Sequence, residues 1–579
     1  MIREILVGPS EGLVVPDTAG SDQGRGGFTA QPEGEGGPAG AAVAAAGSPA
    51  VAAPVVADTP SASAGASRPP LGGREPRNNL LLMGVLLGAL VLYVPQVFGH
   101  CFNFDIWYML ATGREIVEHG IPYQNPFAVQ EGLGIIVQQW ALCVLVYGIY
   151  SATGFVGLAL WSILMAAMLA LSLYRLGRLL KGDRFGGEWL LLLLLAAFPA
   201  FIPYITMCSS VYSMIAYCWV VFFCEKYRRT GRVGWLVALP LLAVAHGGFH
   251  LSLAVFDLVI IGCYLVPDLL RPLHRRGLLS GVALARAGYR RLPLLGALVA
   301  TALALMVNPY GLRGALYLFL SYGAADYDGA VPEMRPFAPA EFDLWGFSVV
   351  LMILLAALVL GRRGPGRIDL PLALLLASTT FLAFDHVRNM WLAVPFAYGL
   401  VASGMSGWST DFGRLRGWRI PRKAAGAIGA VACAAAVALA AGLIAQEAPA
   451  MADKEKTGAY SPSPLVDYIE QDAGTKDVRL FNPVRLGGYL EWRGLPVFVD
   501  SRLEVWNAPI NGTGRDYYRE YVDMSNGRWS ARDFERFLAE NDFDYLVTEQ
   551  GSYLDQYLDQ TEGYQSVMGT GSYTLWKRR

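Results

Sequence analysis

Long apolar runs separated by short polar loops occupy most of the chain between residues 80 and 444. A helix needs roughly 20 apolar residues to cross a bilayer. Such runs lie near 80–98, 154–176, 189–205, 209–224, 233–246, 249–266, 292–307, 344–360, 370–384, 388–404 and 424–444, which predicts about eleven transmembrane helices. Segment 136–151, around IIVQQW, fits an interfacial helix as well as a span. Beyond residue 446 the pattern changes to short apolar runs between charged amphipathic stretches. Runs 478–481, 497–499 and 545–547 predict strands, and 573–576 fits an edge strand. Phe534, Phe537 and Leu538 stand at helical spacing after Ser530, an expected N-cap with Asp533 at the third helical position. Residues 1–76 are rich in Gly, Ala, Pro and Ser, with Phe28 the one aromatic, and cannot bury enough apolar surface to offset their ordering entropy. The expected architecture is therefore a disordered tail (1–76), an all-α polytopic membrane domain (77–445) and a C-terminal extracytoplasmic α/β domain (446–579).

Charge sets the expected orientation. Basic clusters fall at 74–77, 175–184, 226–232, 271–291, 362–367 and 414–423. With the spans above, all of them lie on one side, which the positive-inside rule makes cytoplasmic. The N-terminus is then inside, and the 99–138 loop, the HGGFH turn (246–250), the 308–343 loop, the DHVRN turn (385–389) and the C-terminal domain are outside. No apolar run near the start is long enough for a signal peptide, so the first span is expected to act as an uncleaved anchor.

Composition agrees with a membrane protein: 54% hydrophobic and 16% charged residues, where soluble domains carry about 25% charged. A net charge of −1 argues against a nucleic-acid partner. The seven cysteines lie in or beside apolar segments without paired spacing, so no disulfide framework or zinc site is expected.

Candidate chemistry gathers on the external loops. Asp105, among Phe104, Trp107 and Tyr108, fits a helix cap or a general base for an acceptor hydroxyl. Arg388 fits an interfacial arginine paired with Asp385, or a fork for a lipid phosphate. His246 and His250 could share a metal on a helix, but the two glycines between them argue against a helix and no nearby carboxylate completes a set. A structural or substrate-contacting turn is the expectation there. The 308–343 loop carries Asp326, Asp328, Glu333, Glu341 and Asp343, a solvated acidic loop or a substrate site.

Taken together these segments form a recognisable series. FNFDIWYMLATGREIVEHGIPYQNPF (102–127) resembles the first external loop of a broad set of bacterial membrane proteins whose pattern runs D-x-W-W-H-L-A-T-G, then G-I-P-x-x-D-P-F, then H-E-W-L. HGGF (246–249), NPYGLR (308–313), the Glu333 region, VRNMWLAVP (387–395) and FNPVRLGGYLEWRGLPVFVDSRLEVW (481–506) follow in the same order. The set is similar to glycosyltransferases of the C superfamily (GT-C), and the resemblance covers residue 78 to the end. It implies a polytopic helical fold, a polyprenyl-phosphate-linked sugar donor and an acidic catalytic base in the first external loop, where Asp105 stands. This chain departs from the pattern at Asn125, Gln138 and Gln139, where the set has Asp, His and Glu; amides cannot act as bases at neutral pH.

The expected function is transfer of a sugar from a lipid-linked donor in the membrane to an envelope acceptor on its outer face. Asp105 would be catalytic, and Gln139, His246, His250, Glu333, Arg388, Asp500 and Arg502 would contact substrate. For Asp500 and Arg502 a fold-stabilising pair is an equal alternative. No cofactor is expected, no metal ligand is assigned, and nothing supports a divalent cation. Two rivals stand beside this. A transporter should carry ionisable residues at mid-span, and the spans are nearly free of them. A non-catalytic envelope scaffold is consistent with the amides at 125, 138 and 139.

Overall fold

A computed structural model describes residues 91, 104–182, 187–205, 209–277, 290–321, 335–338, 343–363, 369–408, 422–452 and 463–579. The expected tail 1–76, all but one residue of the first span, and Glu333 with its neighbouring acids Asp326, Asp328 and Glu341 lie outside the described residues.

Helix α1 (Asp105–His119) begins with an acid in its first turn, which suits the positive end of the helix dipole. It buries Ile106 to Gly113 and stops at Gly120, whose φ of 91° suits only glycine. Helix α2 (Trp140–Lys181) settles the ambiguity of 136–151. Residues from Trp140 are helical and run into the span through a kink at Gly154, φ 63°. Its end is closed by left-handed Gly182, which donates to the Arg178 carbonyl. There follow α3 (Gly187–Ala197), α4 (Ser210–Thr230), α5 (Ala238–Phe249), α6 (Phe256–Arg275), α7 (Arg291–Ala304), α8 (Leu344–Arg363), α9 (Leu370–Asp385), α10 (Ala393–Gly404) and α11 (Arg422–Ala452). Pro199 and Pro203 turn the continuation of α3 into a 3-10 helix, Phe198–Tyr204.

Among the described residues five helical stretches are long and apolar enough to cross a membrane: Trp140–Lys181, Gly187–Tyr204, Leu251–Leu273, Leu344–Arg363 and Gly426–Pro449. Val233–Phe249, Arg291–Ala304 and Leu370–Asp385 are apolar but shorter. Helices also occupy the expected spans 209–224 and 388–404, as α4 and as a 3-10 turn (Val387–Leu392) leading into α10.

Loops that the charge alternation assigns to one side meet one another. Tyr310 donates to the Pro122 carbonyl and Tyr123 to that of Pro309. Leu251 N–H bonds the Gln138 carbonyl, and Tyr204 donates to the Arg388 carbonyl. At the opposite end Arg228 pairs with Asp369, Arg229 donates to the Leu179 carbonyl, Tyr227 donates to that of Arg290, and Lys181 to that of Trp408.

The C-terminal region carries α12 (Ser463–Ala473), β1 (Leu480–Phe481), α13 (Val484–Arg493), α14 (Tyr517–Ser525), α15 (Ala531–Asn541), β2 (Tyr545–Glu549), α16 (Tyr553–Asp559), β3 (Tyr564–Thr570) and β4 (Tyr573–Arg578). The strands form one sheet in the order β1-β2-β4-β3, parallel between β1 and β2 and antiparallel elsewhere. Ser530 and Asp533 form the expected capping box of α15. Two expectations are corrected. β4 is an inner strand, because β3, unforeseen, pairs along its other edge. Val497 makes only an isolated bridge, to Ala128 of the loop after α1. Helix α13 lies in a stretch for which no element was expected, and its Gly487 and Gly488 let it lie against other backbone.

That close approach joins the tail to the helical part, and residues 73–579 form one contact unit. A Cβ on Gly488 would meet the Tyr108 amide nitrogen of α1 at 2.8 Å, and one on Gly487 would collide with the Val499 carbonyl. We expect Gly488→Ala to loosen this seam at a cost of about 1–3 kcal/mol, the usual range for overpacking. Faster hydrogen exchange in α1, with exchange in β2 and β4 unchanged, is the expected result; uniform exchange would show that the seam tolerates a methyl.

Candidate functional site

The tail-bearing end of the bundle holds two connected polar clusters. The first joins the tail to α1. Arg502 donates through Nε to Asp500 (2.7 Å), through Nη1 to the Thr112 hydroxyl (3.1 Å), and through Nη2 to both Glu491 and Asp500. Its guanidinium also lies over the rings of Tyr108 and Phe127, 5.0 and 5.7 Å from their centroids. Trp506 Nε1 donates to Asp500 at 2.9 Å. Asp500 and Glu491 are both fully buried.

Two buried carboxyls around one guanidinium are neutral only if one holds a proton. Burial pushes the Glu491 acid well above its usual range, against the attraction of Arg502. Asp500 is held below its usual range: burial opposes this, but Arg502 and hydrogen bonds from Glu491 and Trp506 win. Glu491 Oε2 faces no donor, which suits an oxygen that carries the proton itself. The two groups affect stability oppositely. Glu491, raised in the folded state, contributes stability that is present below about 4.3, the ordinary Glu value, and declines as pH rises through its folded value. Asp500, depressed, contributes stability that is lost as pH falls below about 3.9. Glu491→Gln mimics the protonated acid, so its melting temperature is expected to exceed wild type more at pH 9 than at pH 6. Parallel melting curves across that range would place the proton elsewhere.

The second cluster begins at Tyr108, which donates to Gln139 (3.2 Å); the Gln139 amide donates to the Ser209 hydroxyl (3.0 Å). His250 lies within hydrogen-bonding reach of the Ser209 carbonyl and within electrostatic reach of Arg388, whose side chain is exposed. Behind His250 the Ser213 hydroxyl lies 3.0 Å from His250 Nδ1 and 2.9 Å from His246 Nε2, and His246 Nδ1 lies 3.0 Å from Asp257. All four side chains are buried. Beside this chain Gln138 donates to Glu504 (2.6 Å), which also accepts from Tyr317 (3.0 Å), and Ser252 donates to Gln138 (2.9 Å).

The expected site residues therefore divide. Gln139, His246, His250 and Arg388 are brought into one network. Asp500 and Arg502 form the buried pair that was the alternative to substrate contact; beside them Arg502 and Gln139 line a cavity of about 10 Å³, room for one water and no sugar. Asp105 is half-buried in the first turn of α1, one turn before Tyr108, rather than at its cap. Two statements about the histidines are corrected. HGGF is helical, being the last turn of α5, because Gly248 can sit close to Ala141 of α2 (3.0 Å for an added Cβ). A carboxylate does lie close by, since Asp257 on α6 bonds His246, but it completes no metal set. An acid within an apolar run is itself a functional signal, and Asp257 was visible on that ground; nothing local marked Ser213, Glu491 or Glu504. Asn125 caps its own turn, accepting from Phe127 N–H at 3.1 Å. Among the described residues no group of three His, Cys, Asp or Glu side chains is placed to hold a metal ion.

No protein-family model and no curated protein matches the chain. Solved structures do. The apo oligosaccharyltransferase of Archaeoglobus fulgidus is similar at 14% identity and a TM-score of 0.49, over 82% of this chain and 69% of that one. The same organism's oligosaccharyltransferase AglB, in complex with an inhibitory peptide and a dolichol-phosphate, is similar at 12% and 0.48, over 86% and 74%. ArnT from Cupriavidus metallidurans, bound to undecaprenyl phosphate, is similar at 14% and 0.47, over 86% and 98%.

Proposed function

We propose that the chain is a membrane glycosyltransferase that takes a sugar from a polyprenyl-phosphate-linked donor and passes it to an envelope acceptor at the outer face. The observation that carries this is the convergence at one end of the bundle: exposed Arg388, buried His250 behind it, and a contact chain through Ser209 and Gln139 to Tyr108, one turn along α1 from Asp105. Asp105 takes the proton of the acceptor hydroxyl as that oxygen bonds to the anomeric carbon. The bond from that carbon to the phosphate oxygen breaks, and the lipid phosphate leaves with the electron pair. Arg388 compensates the charge that develops there. The donor class comes from the motif resemblance; the face comes from the charge alternation.

The test is sugar transfer by purified protein in lipid nanodiscs, given polyprenyl-phosphate sugars of several kinds and a cell-envelope extract as acceptor. Transfer or hydrolysis of at least one donor is expected. Folded protein that turns over none of them would favour the scaffold reading, which the commitment of Gln138 and Gln139 to structural bonds also suits.

A further inference from the structure

The contact chain Asp257–His246–Ser213–His250 has a property that the transfer reaction does not require. A serine hydroxyl has one proton, and Ser213 lies between two imidazole nitrogens at 2.9 and 3.0 Å. It can donate to one and must accept from the other. If it donates to His250, His246 Nε2 carries a proton. Since His246 Nδ1 faces the Asp257 carboxylate, His246 is then an imidazolium. If it donates to His246, His250 Nδ1 carries the proton; with the other ring nitrogen donating to the Ser209 carbonyl, the positive charge sits on His250, within electrostatic reach of Arg388. Both arrangements satisfy the contacts from Asp257 Oδ2 through to His250 Nδ1, and in both the buried Asp257 Oδ1 has no partner among the described residues. They differ by moving one proton through the serine: the His246 Nε2–H bond breaks, the serine O–H is exchanged, and a His250 Nδ1–H bond forms.

We propose that these four residues are a one-proton relay that moves positive charge to His250 when an anionic phosphate group binds beside Arg388. This rests on the donor reading above. Asp257 favours the proton on His246, whereas burial and, after it, the charges of His246 and Arg388 disfavour it on His250, so without an anion it stays deep. A phosphate at Arg388 cancels that repulsion and draws the proton outward. Among the described residues Tyr217 of α4 also faces the chain, its ring meeting His246 edge-on at 5.5 Å and its hydroxyl committed to the Leu253 carbonyl, and Cys224 of α4 lies within electrostatic reach of Asp257. His250 adjoins the substrate side; Ser213, His246 and Asp257 act through it as positioning residues.

The experiment is 15N NMR of the imidazoles in nanodiscs, with His246 and His250 assigned by His246→Asn and His250→Asn. In the absence of lipid phosphate at pH 7, His246 is expected to show the imidazolium signature and His250 the neutral one. Undecaprenyl phosphate is then expected to reverse the two. Ser213→Ala, which removes only a hydroxyl, blocks the reversal and weakens binding of undecaprenyl phosphate about tenfold, within the usual range of coupling between sites. Asp257→Asn leaves both rings neutral. Binding of undecaprenyl phosphate with no change at either ring overturns the relay and leaves the donor reading standing. Absence of binding overturns the donor reading; two neutral rings in the ligand-free wild type overturn the relay whatever binds.

Discussion

Asp105→Asn is expected to lower sugar transfer about 10²–10⁴-fold, the usual contribution of a general base, while the protein stays folded. The amide keeps the shape of the acid but cannot accept the acceptor's proton at neutral pH. The structural role of Asp105 is small by comparison. It opens α1, where a carboxylate in the first turn stabilises the helix by about 0.3–1 kcal/mol. The residues that hold α1 in place are Ile106 to Gly113, against α2 and α13. A loss of two or more orders of magnitude with an unchanged melting temperature therefore cannot come from unfolding. Turnover equal to wild type would remove Asp105 as the base.

Arg502→Met should produce the largest loss of stability. The guanidinium is the partner of a fully buried Asp500 and also bonds Glu491 and Thr112. Breaking a buried ion pair by removing one member costs about 3–5 kcal/mol, because the other charge stays unpaired in the interior. Domains are commonly stable by about 5–15 kcal/mol, so this one substitution removes a large share of the tail's stability. The direction with pH identifies the cause. Without Arg502 the Asp500 acid is raised by burial, so the variant recovers stability as pH falls and Asp500 takes up a proton. Adding Asp500→Leu should recover part of the loss at neutral pH, since an apolar replacement leaves no unpaired charge. Thermal unfolding at pH 5, 7 and 9 measures both. A variant as stable as wild type throughout would show that the pair contributes nothing to docking.

How far the chain could be read without its fold depends on the distance over which each feature is decided. The capping box of α15 needs only Ser530 and Asp533, three residues apart, and was legible. The grouping of loops into two ends was legible too, because span length and basic residues are local quantities. β4 was located but misjudged as an edge, since the Gly571-Ser572 turn that joins it to β3 was not read as a hairpin. HGGF was read as breaking the helix because glycine is a poor helix former; packing of Gly248 against α2 outweighed that cost. Gln139 and Arg502 were marked as substrate contacts by residue type. What they do in the fold depends on Tyr108, Ser209, Glu491 and Thr112, which lie between 11 and 390 positions away.

The amino-acid sequence alone determined a run of apolar helices, several long enough to cross a membrane, followed by a tail of mixed helices and strands, because bilayer thickness and hydrophobic periodicity act on consecutive residues. It also marked Asp105, Arg388 and the two histidines as the groups worth attention. Only the tertiary structure decided which of them meet. The turn at His250 brings Asp257 back to His246, and α4 inserts Ser213 between the two rings. Gly487 and Gly488 let the tail close on α1, burying Arg502 with its carboxylates. Hydrogen bonds and ion pairs between buried groups act over a few ångströms of space, and separation along the chain carries no information about that distance.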